Sequence, residues 1–253
     1  LILVAQDPTA YGEDWGRPGA ICELLDRLQE IDGIRWIRIL YAYPERISDA
    51  FIAAMVRNTK VVPYLDLPIQ HCDDAVLKAM NRRGGRKEIE DAIGRLRAAI
   101  PGITLRTTLI AGFPGETEEQ YAELCDFVKT VKFDRLGCFA YSAEENTVAA
   151  KMPNQLDEET KQRRADHIME LQALISAEKE EEKVGRVLEC ICDGVDEESG
   201  SYLLRSQADC PEIDGNVIVE SETPLEPGAF YRVKITDADT YDLYGTVEEK
   251  VED

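Results

Sequence analysis

Three short segments carry polar side chains at the point where an apolar run ends. They are Val4-Ala5-Gln6-Asp7-Pro8-Thr9-Ala10-Tyr11-Gly12, Leu65-Asp66-Leu67-Pro68-Ile69-Gln70-His71 and Leu105-Arg106-Thr107-Thr108-Leu109-Ile110-Ala111-Gly112-Phe113-Pro114-Gly115-Glu116-Thr117. Amide, imidazole, guanidinium and hydroxyl groups at such places can bind a ligand with both charge and polarity. Arg106 sits inside an apolar stretch and needs an anionic partner if buried, either a ligand carboxylate or an internal Asp or Glu. Gly112-Phe113-Pro114-Gly115 lets the backbone approach a ligand closely and offers its N–H groups to polar atoms. Each segment also reads as ordinary strand-to-helix turn chemistry, with Gly for positive φ, Pro for rigidity and Asp or Thr as a cap. Three of them at the same end of one sheet favour a shared pocket.

The hydrophobic periodicity supplies that sheet. Strands are expected at Leu1–Ala5, Trp36–Tyr41, Val61–Asp66, Ile103–Ala111 and Arg135–Tyr141. Between them, apolar residues recur at helical spacing: Ile21, Leu24, Leu25, Leu28 and Ile31; then Phe51, Ile52, Met55 and Val56 behind a capping Ser48; then Val76, Leu77 and Met80. Ile89, Ile93, Leu96 and Ile100 precede the Pro101-Gly102 stop, and Tyr121, Leu124, Val128 and Val131 follow the capping box Thr117-Glu118-Glu119-Gln120. Repeated βα units imply parallel strands and right-handed crossovers, in an open doubly wound sheet or most of a barrel. Ligands bind both at the strand ends. Residues 142–156 read as a polar connector. A long helix is expected from Asp157 to about Lys183, with Ile168, Leu171, Leu174 and Ile175 as its apolar stripe. Beyond Gly185, five short strands separated by Gly and Pro turns predict a small β-barrel.

The 253 residues carry a formal charge of −21, which disfavours nucleic acid as the main ligand, because phosphate binding needs clustered Lys and Arg. Residues 184–253 hold eighteen acidic and five basic side chains. No apolar run approaches the roughly 18 residues of a membrane span, and the first residues do not form a signal peptide. A chain that opens in mid-strand without Met reads as a piece of a longer one. The seven cysteines, at irregular spacing and without a C-x-x-C pair, suggest a reducing compartment. Cys22, Cys125 and Cys138 fall in apolar patterns and are expected to pack; Cys190 and Cys192 should face one side of a strand. Cys72 receives no role.

Leu65–His71, Arg106–Thr117 with its Gly-Phe-Pro-Gly-Glu-Thr run, and Ser176-Ala177-Glu178-Lys179 resemble the methylthiotransferase branch of the radical-SAM enzymes, and the resemblance runs nearly end to end. Ala5-Gln6-Asp7, Arg106-Thr107-Thr108 and Ala208–Gly215 are similar to the RimO type, which methylthiolates an aspartate of ribosomal protein S-twelve. The last 70 residues resemble a TRAM domain. The resemblance implies a partial TIM-type α/β barrel over 1–156, a connecting helix over 157–183 and a TRAM barrel over 184–253. It implies S-adenosyl-L-methionine and two 4Fe–4S clusters as cofactors of the intact enzyme, a hydrogen abstracted from the aspartate β-carbon, and insertion of sulfur and methyl.

The C-x-x-x-C-x-x-C loop of that family does not occur here, so cluster-ligand cysteines are expected upstream of Leu1, no metal ligand is assigned within the chain, and the piece by itself is expected to be inactive. Gln6, Gln70, His71, Arg106, Thr108, Gly112, Phe113 and Tyr141 are the expected cofactor-pocket residues; none is assigned a catalytic role. Tyr11 could line the pocket or pack. The acidic barrel favours a basic ribosomal protein as partner over RNA, in a cytoplasmic protein without a membrane. Two alternatives remain: the sister MiaB type, which acts on tRNA adenosine, and a non-catalytic acidic module that binds a basic partner.

Overall fold

Alternating apolar runs and helical stripes fold as their periodicity requires. In the computed structural model, which describes residues 1–252, the chain forms two units, Leu1–Gln172 and a second from Ala173 onward. The first unit contains β1 (Ile2–Leu3), α1 (Ala20–Gln29), β2 (Ile37–Ile39), α2 (Asp49–Arg57), β3 (Val61–Asp66), α3 (Asp74–Ala79), α4 (Arg86–Ala99), β4 (Thr104–Ala111), α5 (Glu118–Val131) and β5 (Arg135–Ala140). The five strands lie in chain order and all neighbours are parallel. The helix starts are chemically specified. Ser48 Oγ accepts from Phe51 N at 3.1 Å, Asp73 Oδ1 accepts from Val76 N at 2.9 Å, and Thr117 and Gln120 exchange reciprocal bonds across the first turn of α5.

β4 sets the two faces of the sheet. Leu105, Thr107, Leu109 and Ala111 are buried, whereas Arg106, Thr108 and Ile110 alternate with them and are half-buried, as the two-residue period of a strand demands. The core holds Leu25 of α1, Phe51 of α2, Leu96 of α4, and Leu124 and Phe127 of α5, all essentially fully buried.

α6 (Glu158–Glu181) begins where Asp157 accepts from Thr160 N at 2.8 Å. Its buried positions include Lys161, Arg164, Ala165, Ile168 and Gln172. Leu174, expected on the apolar stripe, is instead 69% exposed: it lies off the face that the three- and four-residue steps from Ile168 to Gln172 and Ile175 define. The polar residues Lys161, Arg164 and Gln172 take buried places that a hydrophobic stripe would have assigned to Leu.

In the second unit β6 (Val187–Val195), β7 (Tyr202–Ser206), β8 (Val217–Val219), β9 (Phe230–Ala238) and β10 (Leu243–Lys250) close into a barrel in the order β10-β8-β7-β6-β9. Its interior is Cys190, Cys192, Leu204, Val217, Val219, Tyr231, Val233, Ile235 and Leu243. Cys190 and Cys192 therefore face the same side, into the core. Among the described residues no helix is long and apolar enough to cross a membrane.

Candidate functional site at the strand ends

The ends of β1, β2 and β3 open on a cleft of about 530 Å³ lined by Val4, Ala5, Gln6, Tyr41, Tyr43, Pro68 and Gln70. Two of these residues hold left-handed backbone, Tyr41 at φ 66° and Gln70 at φ 69°, a conformation that costs a non-glycine residue roughly 1–3 kcal/mol and clusters at functional sites. Both are held by neighbours. Tyr41 N donates to Asp66 Oδ2 at 3.2 Å; Gln70 N donates to Thr108 O at 2.9 Å and its carbonyl accepts from Ile110 N at 2.8 Å. The cleft thus brings together Gln6 and Gln70 with two phenol rings.

Arg106 meets an internal carboxylate, its Nη1 donating to Asp66 Oδ1 at 3.0 Å. Asp66 is fully buried and Arg106 retains 17% side-chain exposure on the half-buried face of β4. Thr108 follows on the same face and fixes Gln70 through its carbonyl.

His71 and Gly112 converge on Glu116, whose side chain is completely buried. Gly112 N donates to Glu116 Oε1 at 3.1 Å and Oε2 at 3.0 Å, and Arg164 Nη1 of α6 donates to Oε1 at 2.6 Å. Arg164 Nη2 binds Glu118 at 2.6 Å, and the guanidinium lies 5.0 Å from the centre of the Tyr121 ring. His71 Nδ1 accepts from Asp73 N at 2.9 Å. In the neutral ring the proton is thereby assigned to Nε2. That nitrogen lies 3.4 Å from Glu116 Oε2, without the alignment of a formed hydrogen bond, so the contact is electrostatic. Burial pushes the Glu116 carboxyl up, but His71, the Arg164 guanidinium and the Gly112 N–H together hold it below the ordinary glutamate value.

The Gly112 amide is consequently spent on Glu116. The close backbone approach that its φ of +77° permits is toward α6: a Cβ there would stand 2.5 Å from Lys161 Cγ and 3.0 Å from Lys161 Cα. Gly112→Ala should destabilise the protein by roughly 2–4 kcal/mol, the sum of left-handed strain and overpacking. The midpoint of urea unfolding measures it; an unchanged midpoint would show that α6 yields freely.

Phe113 and Tyr141 pack edge to face, with ring centres 5.3 Å apart, among Val76, Met80, Ile110, Ala149 and Met152. The Tyr141 hydroxyl is buried and has no hydrogen-bond partner, and Lys161 Nζ lies 5.5 Å from its ring centre. Tyr11 forms an edge-on pair with Trp15 on an exposed turn. The strand-end residues thus form three neighbourhoods: the cleft with Gln6 and Gln70, the ionic network with His71 and Gly112, and the aromatic pair Phe113–Tyr141.

Sequence reasoning missed Tyr41, Tyr43, Glu116 and Arg164. Tyr41-Ala42-Tyr43-Pro44 follows β2 as the other segments follow their strands, so the same rule would have found it. Glu116 lay inside a noted motif but read as helix-start chemistry. Arg164 stands in Lys161-Gln162-Arg163-Arg164, where nothing distinguishes the buried arginine from its exposed neighbours.

Among the described residues the seven cysteines form no disulfide, and no group of three or more His, Cys, Asp or Glu side chains could hold a metal ion. Burial pushes the Cys72 and Cys138 thiols up to about 12. The described cysteines do not fit the ligand set of an iron–sulfur cluster, which needs converging thiolates.

Residues 1–128 match the family model of the Radical SAM superfamily and residues 184–247 match that of the TRAM domain. The chain belongs to the Radical SAM superfamily. It is similar to proteins named ribosomal protein uS12 methylthiotransferase RimO. The one from Desulfitobacterium hafniense is 47% identical over 247 residues, 98% of this chain and 55% of the relative. Those from Pelotomaculum thermopropionicum and Clostridioides difficile are 48% and 45% identical, each matched over 55% of its own length and over 97% and 98% of this chain. The chain spans about half the length of the curated relatives it matches. Among solved structures, Escherichia coli coproporphyrinogen III oxidase (HemN), described as a radical SAM enzyme, aligns with a TM-score of 0.52 at 15% identity, over 85% of this chain and 50% of that one. That likeness supports the fold.

Proposed function

We propose that this chain is the larger part of a radical-SAM methylthiotransferase that modifies an aspartate of ribosomal protein uS12, the S-twelve protein. In that reaction a C–H bond at the aspartate β-carbon is replaced by a bond to a methylthio group. S-adenosyl-L-methionine would supply the hydrogen-abstracting radical and the methyl group. The strand-end cleft suits such a ligand: Gln6 and Gln70 offer amides, and Tyr41 and Tyr43 offer ring faces. Arg106 is held by Asp66 and would shape the half-buried face. The thiolates of two 4Fe–4S clusters would belong to the part of the relatives' length that this chain does not span. The proposal includes the boundaries 1–156, 157–183 and 184–253 for barrel, connecting helix and TRAM domain, and a cytoplasmic setting.

The observation that carries the choice of substrate is the charge of residues 184–253, with eighteen carboxylates against five cations. Such a domain repels phosphate and attracts a Lys- and Arg-rich protein. The test is a competition assay with the reconstituted full-length enzyme, offered uS12 and tRNA together and followed by mass spectrometry of both. The expected product is a methylthiolated uS12 aspartate peptide. Modified tRNA adenosine with unmodified uS12 would overturn the choice in favour of the tRNA-modifying sister.

A further inference from the structure

Two residues near the start of α6, Lys161 and Arg164, reach the loop that follows β4. The stem of Lys161 covers Gly112 so closely that no side chain fits between them. Arg164, 3% exposed, binds the buried Glu116 carboxylate at 2.6 Å, closer than the Gly112 amide does. Glu116 in turn holds the Gly112 amide and faces His71. From these residues the chain continues on one side to the cleft, which Gln70 lines just before His71, and on the other to the aromatic pair, where Phe113 follows Gly112 and packs on Tyr141.

We propose that Arg164 is a positioning residue for the strand-end pocket, fixing the Gly112–Glu116 loop, and through Glu116 the His71 turn, in the geometry that receives adenosylmethionine. This rests on the reading that the pocket binds that molecule. Arginine suits the task because its planar fork bridges Glu116 and Glu118 while its face stacks on Tyr121. Lysine could neutralise Glu116 but not make the second bond. Without a cation, a carboxylate in a site with no access to water takes up a proton or swings away, and the loop loses its fixed shape.

The test uses the full-length enzyme with its clusters reconstituted, and reads the dissociation constant of adenosylmethionine by equilibrium dialysis. Arg164→Met should weaken binding by roughly ten- to a hundredfold, the scale of a displacement near 1 Å. Arg164→Lys should fall between Arg164→Met and the parent. Glu118→Gln should weaken binding less than Arg164→Lys, since its amide oxygen still accepts from Arg164 Nη2.

The readout that a merely structural role would not move is pH. Affinity of Arg164→Met should fall as pH is lowered, because burial raises the Glu116 carboxyl once the guanidinium that holds it down is gone, while the parent stays level over the same range. The other titratable groups around Glu116 and Arg164 are His71, Glu118, the Tyr121 phenol with His167 bonded to it, and the thiols of Cys125 and Cys138, which burial pushes up. The pH effect should persist in the His71→Gln/Arg164→Met double variant.

Parent-like affinity of Arg164→Met at every pH overturns the proposal. If Arg164→Met does not fold, Arg164→Lys decides: severalfold weaker binding supports it, and parent-like binding overturns it. If the unmodified enzyme does not bind adenosylmethionine, the pocket reading itself fails and takes this inference with it.

Discussion

Glu116→Leu is expected to destabilise the protein by about 3–5 kcal/mol, the cost of removing one partner from a buried ion pair. The leucine leaves the Arg164 guanidinium buried with Glu118, which is mostly in solvent, and strips the Gly112 amide of its acceptor. Glu116→Gln keeps an acceptor for that amide and should cost less. The double variant Glu116→Leu/Arg164→Met should recover part of the loss, because it leaves no unpaired charge. Chemical denaturation of the parent, Glu116→Leu, Arg164→Met and the double variant closes the cycle; strictly additive losses would show that the two side chains do not interact. The pH dependence has a definite sign. The folded Glu116 carboxyl sits below the ordinary value of 4.5, so its contribution is present above that value and is lost as pH falls through the lower folded one. Glu116→Gln should accordingly unfold with a flatter acid limb than the parent below about pH 4.5.

The same network marks where the sequence stops being informative. Backbone periodicity and caps are local, and they placed all five strands of the first unit, the Ser48 and Thr117 caps and the five strands of the second barrel. Strand ends followed, since a change from apolar to polar along the chain is visible without coordinates. What could not be read is which polar groups choose one another. Arg106 was open to a ligand carboxylate or an internal acid, and the parallel register that sets Asp66 opposite Arg106 decides for the acid. Gly112 was legible as a glycine needed for close approach, but its neighbour, Lys161, lies far along the chain. Arg164 was invisible, because a buried cation on a helix has the same local sequence as an exposed one. Long-range pairing of polar side chains rests on tertiary register, and no spacing rule within one segment reports it.

The association rate of uS12 with the full-length enzyme should fall at least about tenfold between roughly 0.05 and 0.5 M salt, as expected for electrostatically steered encounter. The expectation rests on the charge of the second unit. Three of the five cations in residues 184–253 are matched within the barrel, Arg205 with Asp193, Arg232 with Glu249 and Lys250 with Glu226. Of the remaining acids Glu197, Glu198, Asp237 and Glu248 are exposed, whereas Asp209 is buried. Replacing these four by Gln or Asn should leave the melting temperature nearly unchanged, because no packed atom is lost. It should slow association at low salt and flatten the salt dependence, with a smaller effect on dissociation. Stopped-flow mixing with labelled uS12 over a salt series measures both rates. A salt-independent association rate in the parent would remove the charge argument for a basic protein partner. Association that slows only for the variant at high salt would point instead to a specific contact made by one of the four residues.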